Sequence, residues 1–567
     1  MPLAARLGPR RLAAPPPGAS PAGGALVPLS PVGWADDHAP SPRDEAPSAA
    51  LPAFPLDPEW KRERRLWGHA LHPMCSYLAA FPAGLPHAFI ARYTRPGDVV
   101  LDPFSGRGTT PLQACAEGRI GVGNDLSPLA HLLTAAKVDP PGPAELLRRV
   151  DELEAVWTSW STRPVSPATA SWPTRPVSPA RASWLDQRDV VAGDAGECAG
   201  TPPDVLLAFH PRTLEQLAYL RAALDPAVRV DRFLLATTLG ILHGRGRAFL
   251  STLMPNAFAM PPGYVRAYAR ATGFRPEPRD VFAALRLKTR WLLREPLPPV
   301  RGIALRGDAR DAGTRAAAVL RERALPGRVR LVVSSPPYLR VVRYGASNWL
   351  RLWFLGIDPG ALDATLDHAH RPRAYLAFLR EVLADLREVL ADDAVVVLVL
   401  GDVESDGGHR LRREVGLAVR AWEEAAEPEG YRLAGIAADH VAPHRKSTRI
   451  WGDEAGQATR TDRLLVIAPT ELGRRRALAA AALPVDWRWP PAPRAGVVAG
   501  GRRRTPRPMG QLGRATDGAW QAAQPTGRPA IIVMGSGGSL GTPRTRAATS
   551  APSALGPAAG TADQGRR

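Results

Sequence analysis

The sequence predicts a doubly wound α/β fold with a helical insertion and a Pro/Gly-rich extension at each end. Three observations predict it. An apolar strand runs into a glycine turn and a helix at residues 98–116, and a second strand ends on the acid Asp125. A third apolar strand, at 331–333, leads to Ser335-Pro336-Pro337-Tyr338 at the expected carboxyl edge of a parallel sheet. The chain has 567 residues, 45% of them hydrophobic, enough for a sizeable core. No run approaches the roughly 18 apolar residues of a bilayer span, so no membrane partner is expected.

Residues 1–57 are Pro/Ala-rich without a sustained period and read as a disordered extension. The first half of the sheet is placed at 58–138. In DVVLDPFSGRGTTPLQACAEGRIGVGNDLSPLA (98–130), Val99–Leu101 form a strand and the chain turns through Ser105–Gly108. Thr109 or Thr110 is placed to cap a helix to about Ala116. Gly106 and Gly108 leave room for a ligand against the backbone. Gly121–Gly123 form the next strand, and Asp125 at its end suits a pair of ribose hydroxyls.

Residues 139–203 read as a linker. Within it SWSTRPVSPATA (159–170) recurs as SWPTRPVSPARA (171–182), a tandem duplication in a surface loop; an extended proline-rich ligand is the other reading. The block 204–298 is helical. Its stripe Leu214, Leu217, Leu220 and Leu224 marks one helix, residues 231–244 mark a second with Gly244 as C-cap, and 280–293 mark a third. The second half of the sheet occupies 299–469, with strands at 331–333, 395–403 and 459–467. Residues 470–567 hold 15 Arg and 4 acidic residues of a chain whose net charge is +19, and read as a disordered basic tail. A basic body directs attention to nucleic acid.

Cys75, Cys115 and Cys198 match neither a zinc pattern nor a disulfide framework, so no metal is expected. With no signal-like apolar stretch at the start, a cytoplasmic location is the expectation. In Ser335-Pro336-Pro337-Tyr338 the successive prolines fix the direction of the Pro336 carbonyl. Together with the Ser335 hydroxyl it can grip a planar amino group, while Tyr338 offers a face for stacking a base.

The two motifs together resemble the S-adenosylmethionine-dependent DNA amino-methyltransferases, of the cytosine-N4 and adenine-N6 type. That resemblance implies a Rossmann-like doubly wound methyltransferase sheet with S-adenosylmethionine as cofactor. It assigns the cofactor to Asp102, Phe104, Gly106, Gly108, Thr109 and Asp125, and the target base to Ser335, Pro336, Pro337 and Tyr338. Asp308 in RGDARD is implied to face the cofactor's adenine, in preference to Asp194 in the competing GDA at 193–195. The segment 72–98 resembles the one that precedes the cofactor loop in the family, and 210–265 resembles an insert found in some members. In the insert His243, Arg245, Arg247 and Asn256 are candidates for DNA contact, or belong to a structural lid. Double-stranded DNA is the implied partner and a cognate restriction endonuclease a candidate second one. Cytosine N4 is favoured over adenine N6 because the base element opens with Ser. An RNA guanine-N2 methyltransferase and a non-catalytic nucleic-acid binder are the alternatives.

Overall fold

The computed structural model describes residues 51–161, 201–254, 261–337, 344–366, 372–404, 414–440 and 461–489, less residues 65, 79 and 402. A seven-stranded sheet organises them. Its strands are β1 (Val99–Asp102), β2 (Ile120–Asp125), β3 (Ile303–Arg306), β4 (Val329–Ser334), β5 (Leu390–Gly401), β8 (Arg432–His440) and β9 (Thr461–Ala468), in the order β3-β2-β1-β4-β5-β9-β8. The short pair β6 (Val403–Glu404) and β7 (Glu414–Val415) lies apart. Strands β1 to β5 pair in parallel, whereas β9 runs antiparallel between β5 and β8. The strand order reverses at β1 and β4, so their carboxyl ends flank the crevice where doubly wound sheets bind ligands. This is the Rossmann-like α/β sheet that the sequence predicts.

Alternation in β5 shows why the sheet is covered on both faces. Val395, Val397 and Val399 join the core beneath α1 (Gly84–Tyr93), while Val396, Leu398 and Leu400 are buried on the opposite face. The helices α2 (Thr109–Ala116) and α3 (Pro128–Val138) follow β1 and β2, and α3 opens on Ser127, whose hydroxyl accepts from Ala130 N. α4 (Pro143–Ser161) then carries Leu146, Val150, Leu153 and Trp157 on one buried stripe. The linker expected at 139–203 therefore contains a 19-residue helix. Apart from Ser159–Ser161, the repeats lie outside the described residues, as do Asp194 and Cys198.

The insertion is helical: α5 (Pro203–Ala208), α6 (Pro211–Ala223), α7 (Arg229–Ile241), α8 (Pro262–Thr272) and α9 (Val281–Leu292). Its apolar faces share one continuous cluster with α3 and α4, to which Leu217, Phe233, Leu239 and Leu285 contribute. Gly244 does not cap α7. A Cβ there would meet the Phe249 ring at 2.6 Å, so the residue is small because an aromatic ring lies on it. Further helices on the sheet side of the chain include α10 (Ala312–Glu322), α11 (Tyr344–Ser347), α12 (Trp349–Leu355), α13 (Pro359–Thr365) and α14 (Pro372–Val389).

Both expected terminal boundaries move outward. Phe54, placed by sequence in the disordered extension, is buried, and its N–H bonds Ile436 O at 3.1 Å on the edge strand β8. Residues 471–481 form α15 (Glu471–Ala481), which packs Ala477 and Ala480 against the sheet. Beyond it the chain doubles back over α1. Arg92 Nε donates to Leu483 O (3.0 Å), Trp67 Nε1 to Trp487 O (2.9 Å) and Trp487 Nε1 to Glu59 Oε2 (2.7 Å). Residues 490–567 and 1–50 lie outside the described residues. No described helix is long and apolar enough to cross a membrane.

Candidate active site

The parallel pairing of β1 with β2 and β4 brings three strand ends to one place. Asp102 ends β1, Asp125 ends β2, and Ser335 follows Ser334 at the end of β4. A single pocket is lined by Asp102, Phe104, Gly106, Thr109, Asp125, Asp308, Ser335 and Pro337, eight of the eleven residues predicted from sequence. Pro336 is buried beside it, and Tyr338 lies outside the described residues.

The two motifs touch. Ser334 Oγ donates to Asp102 Oδ1 at 2.5 Å, and Phe104 N donates to the same oxygen at 3.1 Å. Thr110 Oγ1 donates to Val333 O at 3.0 Å, which ties the start of α2 to β4. Neither Thr109 nor Thr110 caps α2; its N-cap is Gly108 in the left-handed region, and Thr109 Oγ1 accepts from Arg107 Nε instead. Asp102 is buried, which pushes its carboxyl up to about 7 against the pull of Ser334 and Phe104. Burial likewise raises Asp125 to about 6, although its oxygens accept from Ser127 N (2.9 Å) and Gly106 N (2.8 Å).

The two loop glycines serve different ends. Gly106 has φ +51°, and a Cβ on it would come no nearer than 3.7 Å to Tyr77, a pocket side chain. It faces the pocket as expected. Gly108, with φ +74°, does not line the pocket: a Cβ there would strike Thr134 Oγ1 and Cα at 2.8 and 2.9 Å. Its small size lets α3 press against the loop rather than admitting a ligand. From the same helix Lys137 reaches under the turn, its Nζ donating to Arg107 O at 2.6 Å and His72 O at 3.3 Å. Burial first, and the Arg107 guanidinium second, hold that ammonium's pKa well below its ordinary value.

Asp308 lines the pocket as the N-cap of the turn after β3, and Gly307 N binds it to the end of β2 through Asp125 O (3.1 Å). Its carboxylate is gripped by Arg310, through Nε at 3.1 Å and a terminal nitrogen at 2.6 Å. Apart from Phe104, the aromatic wall was not read from the sequence. Tyr77 stacks on Tyr344 with centroids 5.9 Å apart, Phe104 meets Phe378 edge-on at 5.8 Å, and Tyr375 completes the lining. Tyr77 falls in the 72–98 segment that the resemblance singled out. Tyr375 and Phe378 come from α14, where nothing local marks them.

His243 does not reach a surface. It is buried at the end of α7 with Nδ1 against Met254 O (3.2 Å), and burial drives its pKa down to about 3, so it belongs to the core of the insertion. Arg245 and Arg247 are exposed, and Asn256 lies outside the described residues. Cys75 and Cys115 are buried and unbridged, and no metal-binding cluster occurs among the described residues.

The family model described as DNA methylase, of the N6/N4 type, matches residues 51–135. The type II methyltransferase M.MjaII of Methanocaldococcus jannaschii is 35% identical over 86 residues, 15% of this chain and 15% of that protein. The chain thus matches only a small part of that relative's length. Two solved structures are similar at low identity. TrmN from Thermus thermophilus has 13% identity and a TM-score of 0.23, covering 70% of this chain and 52% of that one. The rRNA methyltransferase aviRa from Streptomyces viridochromogenes has 12% identity and a TM-score of 0.27, covering 73% and 92%.

Proposed function

On the premise that residues 51–135 belong to the N6/N4 DNA methylase family, we propose that the chain methylates the exocyclic amino group of a base in double-stranded DNA, using S-adenosylmethionine, with cytosine N4 as the preferred target. The reading is carried by the bond from Ser334 to Asp102, which joins the proposed cofactor loop to the proposed base-binding turn in one pocket.

The residues present fit the cofactor. Gly106 offers a backbone cradle that a larger side chain would fill. Asp102 is a buried carboxylate and Asp125 a half-buried one at the pocket's edge, and desolvation raises both, so a ligand's cation or hydroxyls would find acceptors there. Asp102 suits the amino group of the methionine part, Asp125 the ribose hydroxyls, and Phe104 and Thr109 line the walls beside them. Asp308 is assigned to the adenine, with Arg310 fixing its carboxylate. When bound, S-adenosylmethionine supplies an electrophilic methyl group.

This chain's own contribution is to the nucleophile. An aromatic amine has its lone pair delocalised into the ring. Hydrogen bonds from its two N–H groups to Ser335 Oγ and the Pro336 carbonyl pull the nitrogen towards tetrahedral geometry and localise that pair. Pro336 and Pro337 hold those acceptors in a fixed direction. Alignment and electrostatics then supply most of the rate enhancement, with no covalent enzyme intermediate. Tyr338 is assigned to stacking on the base.

Nucleoside mass spectrometry of DNA and RNA from cells expressing the chain, against empty vector, tests the reading. N4-methylcytosine in DNA is the expected product. Methyladenine without N4-methylcytosine would overturn the base, and a methylated guanine confined to RNA would overturn the substrate. Ser335→Ala should lower kcat on the order of tenfold or more at nearly unchanged cofactor affinity; a fully active variant would overturn the mechanism.

A further inference from the structure

We infer that Arg351 of α12 is a positioning residue for the cofactor pocket, whose two terminal nitrogens hold Tyr77 and Tyr344 in register through Ser76 and Asn348. This rests on the reading of the pocket as a methyl-donor site and names the group that sets one of its walls from outside it.

The sequence of α12, WLRLWFL, is apolar apart from Arg351, and Trp349, Leu350, Leu352, Phe354 and Leu355 all lie in the core. Arg351 is itself only 1% exposed. Desolvating a guanidinium there is costly, and an apolar side chain of similar length would fill the space without that cost. What the charge contributes is a set of bonds that an apolar side chain cannot make. One terminal nitrogen donates to Asn348 Oδ1 at 2.8 Å, the other to Ser76 Oγ at 2.9 Å, and Nε lies 3.4 Å from Leu239 O on α7. Asn348 is buried as well, and its Nδ2 donates to Tyr344 O at 2.9 Å. Ser76 is the residue before Tyr77. Both arms of the guanidinium lead to the same pair of rings, which stack with centroids 5.9 Å apart and planes 24° from parallel.

That stack is a second junction between the halves of the site, besides the bond from Ser334 to Asp102. Tyr77 comes from the segment before the cofactor loop, and Tyr344 follows the base-binding turn in sequence. Tyr77 lies against Gly106, whose N–H binds Asp125 Oδ2 at 2.8 Å, and its hydroxyl bonds the Ser127 side chain. Burial first and the Asp125 carboxylate second hold the pKa of both phenols above the ordinary value, so both hydroxyls stay protonated near the acid assigned to the ribose. A planar fork reaches two acceptors at a fixed angle, which an ammonium on a flexible stem does not. Loosening either arm lets the Tyr77 ring drift from Gly106 and Asp125, and the cofactor loses a wall there.

Calorimetric titration of the full chain with S-adenosylmethionine, alongside thermal melting, tests the inference. Arg351→Met should weaken binding about tenfold while melting close to the wild-type temperature. Arg351→Lys keeps the charge but not the fork, and should bind as weakly. Ser76→Ala removes one hydroxyl at a half-buried position and serves where the Arg351 variants do not fold. It should weaken binding about threefold to tenfold, and Ser76→Thr, which keeps the hydroxyl, should bind as the wild type does. Wild-type affinity in Ser76→Ala and in whichever Arg351 variants fold would overturn the inference and leave the proposed function standing. Equal losses in Ser76→Ala and Ser76→Thr, each with a matching drop in melting temperature, would mark a merely structural contact and overturn it too. A wild-type chain that binds no S-adenosylmethionine would overturn the proposed function, and this inference with it.

Discussion

Asp102 and Asp125 make the site pH-sensitive, and the sign follows from their burial. Both carboxyls titrate higher in the folded chain than when solvated, at about 7 and about 6. The folded protein therefore holds more protons than the unfolded one between pH of about 4 and 7, and this part of its stability is lost as pH rises through that window. A cationic amino group bound beside Asp102 reverses the preference, so cofactor affinity should rise from pH 5.5 to 8, with a proton released on binding. Calorimetry at several pH values checks this. Asp102→Asn should flatten the dependence, weaken binding, and melt no lower than wild type at pH 8. The two glycines separate in the same way. Gly108→Ala, forced onto Thr134 at positive φ, should cost about 2–4 kcal/mol and show as a lowered melting temperature. Gly106→Ala should cost about 1 kcal/mol of stability and fall mainly on cofactor affinity. At this scale the acids, Gly106 and Ser335 were legible because their motifs are local in sequence. Tyr77, Tyr344 and Tyr375 were not, because what brings them to the pocket is packing between distant segments. Gly108 was misread because a glycine cleared for a ligand and one cleared for a helix look alike until the neighbour is known.

Among the elements, those with a clean period were readable and those held by small residues were not. The Leu stripe of α6 and the valines of β5 announced themselves. α15 buries Ala477, Ala480 and Ala481 and otherwise displays arginine, so its sequence resembles the basic tail that follows. α4 has a proper amphipathic stripe, but it runs directly into the proline repeats and was absorbed into them. The segment after α15 carries a definite prediction. Leu483–Trp489 is held on α1 and the preceding turn by Arg92, Trp67, His87 and Glu59. A chain ending at residue 489 should fold and bind cofactor, whereas one ending at 469 should be insoluble or strongly destabilised. Trp487→Ala should remove about 2–3 kcal/mol by denaturant titration. Undiminished stability in a chain ending at 482, which keeps α15, would show that this segment is an accessory.

Across the whole molecule the doubly wound class was legible from the two motifs, whereas the adjacency of β1 and β4 that lets them meet was not stated by the sequence. The extent of the insertion's partnership with the sheet was not legible. α3, which packs behind the Ser105–Gly108 loop, shares its apolar face with α4 and the inserted helices. Replacing residues 203–292 by a short linker should therefore expose that face and give an aggregated product on size-exclusion chromatography, rather than a smaller enzyme. The same insertion separates β1, complete at Asp102, from its neighbour β4, which begins at Val329. On a ribosome adding roughly 5–20 residues per second, the first strand waits on the order of 10–45 s for the one that fixes its exposed edge. During that interval the nascent chain must shelter β1 with α1, α2 and β2, without β4. The helical bundle also emerges before β3, β4, β5, β8 and β9, so synthesis order, and not only final stability, bears on how much of this protein reaches its native state.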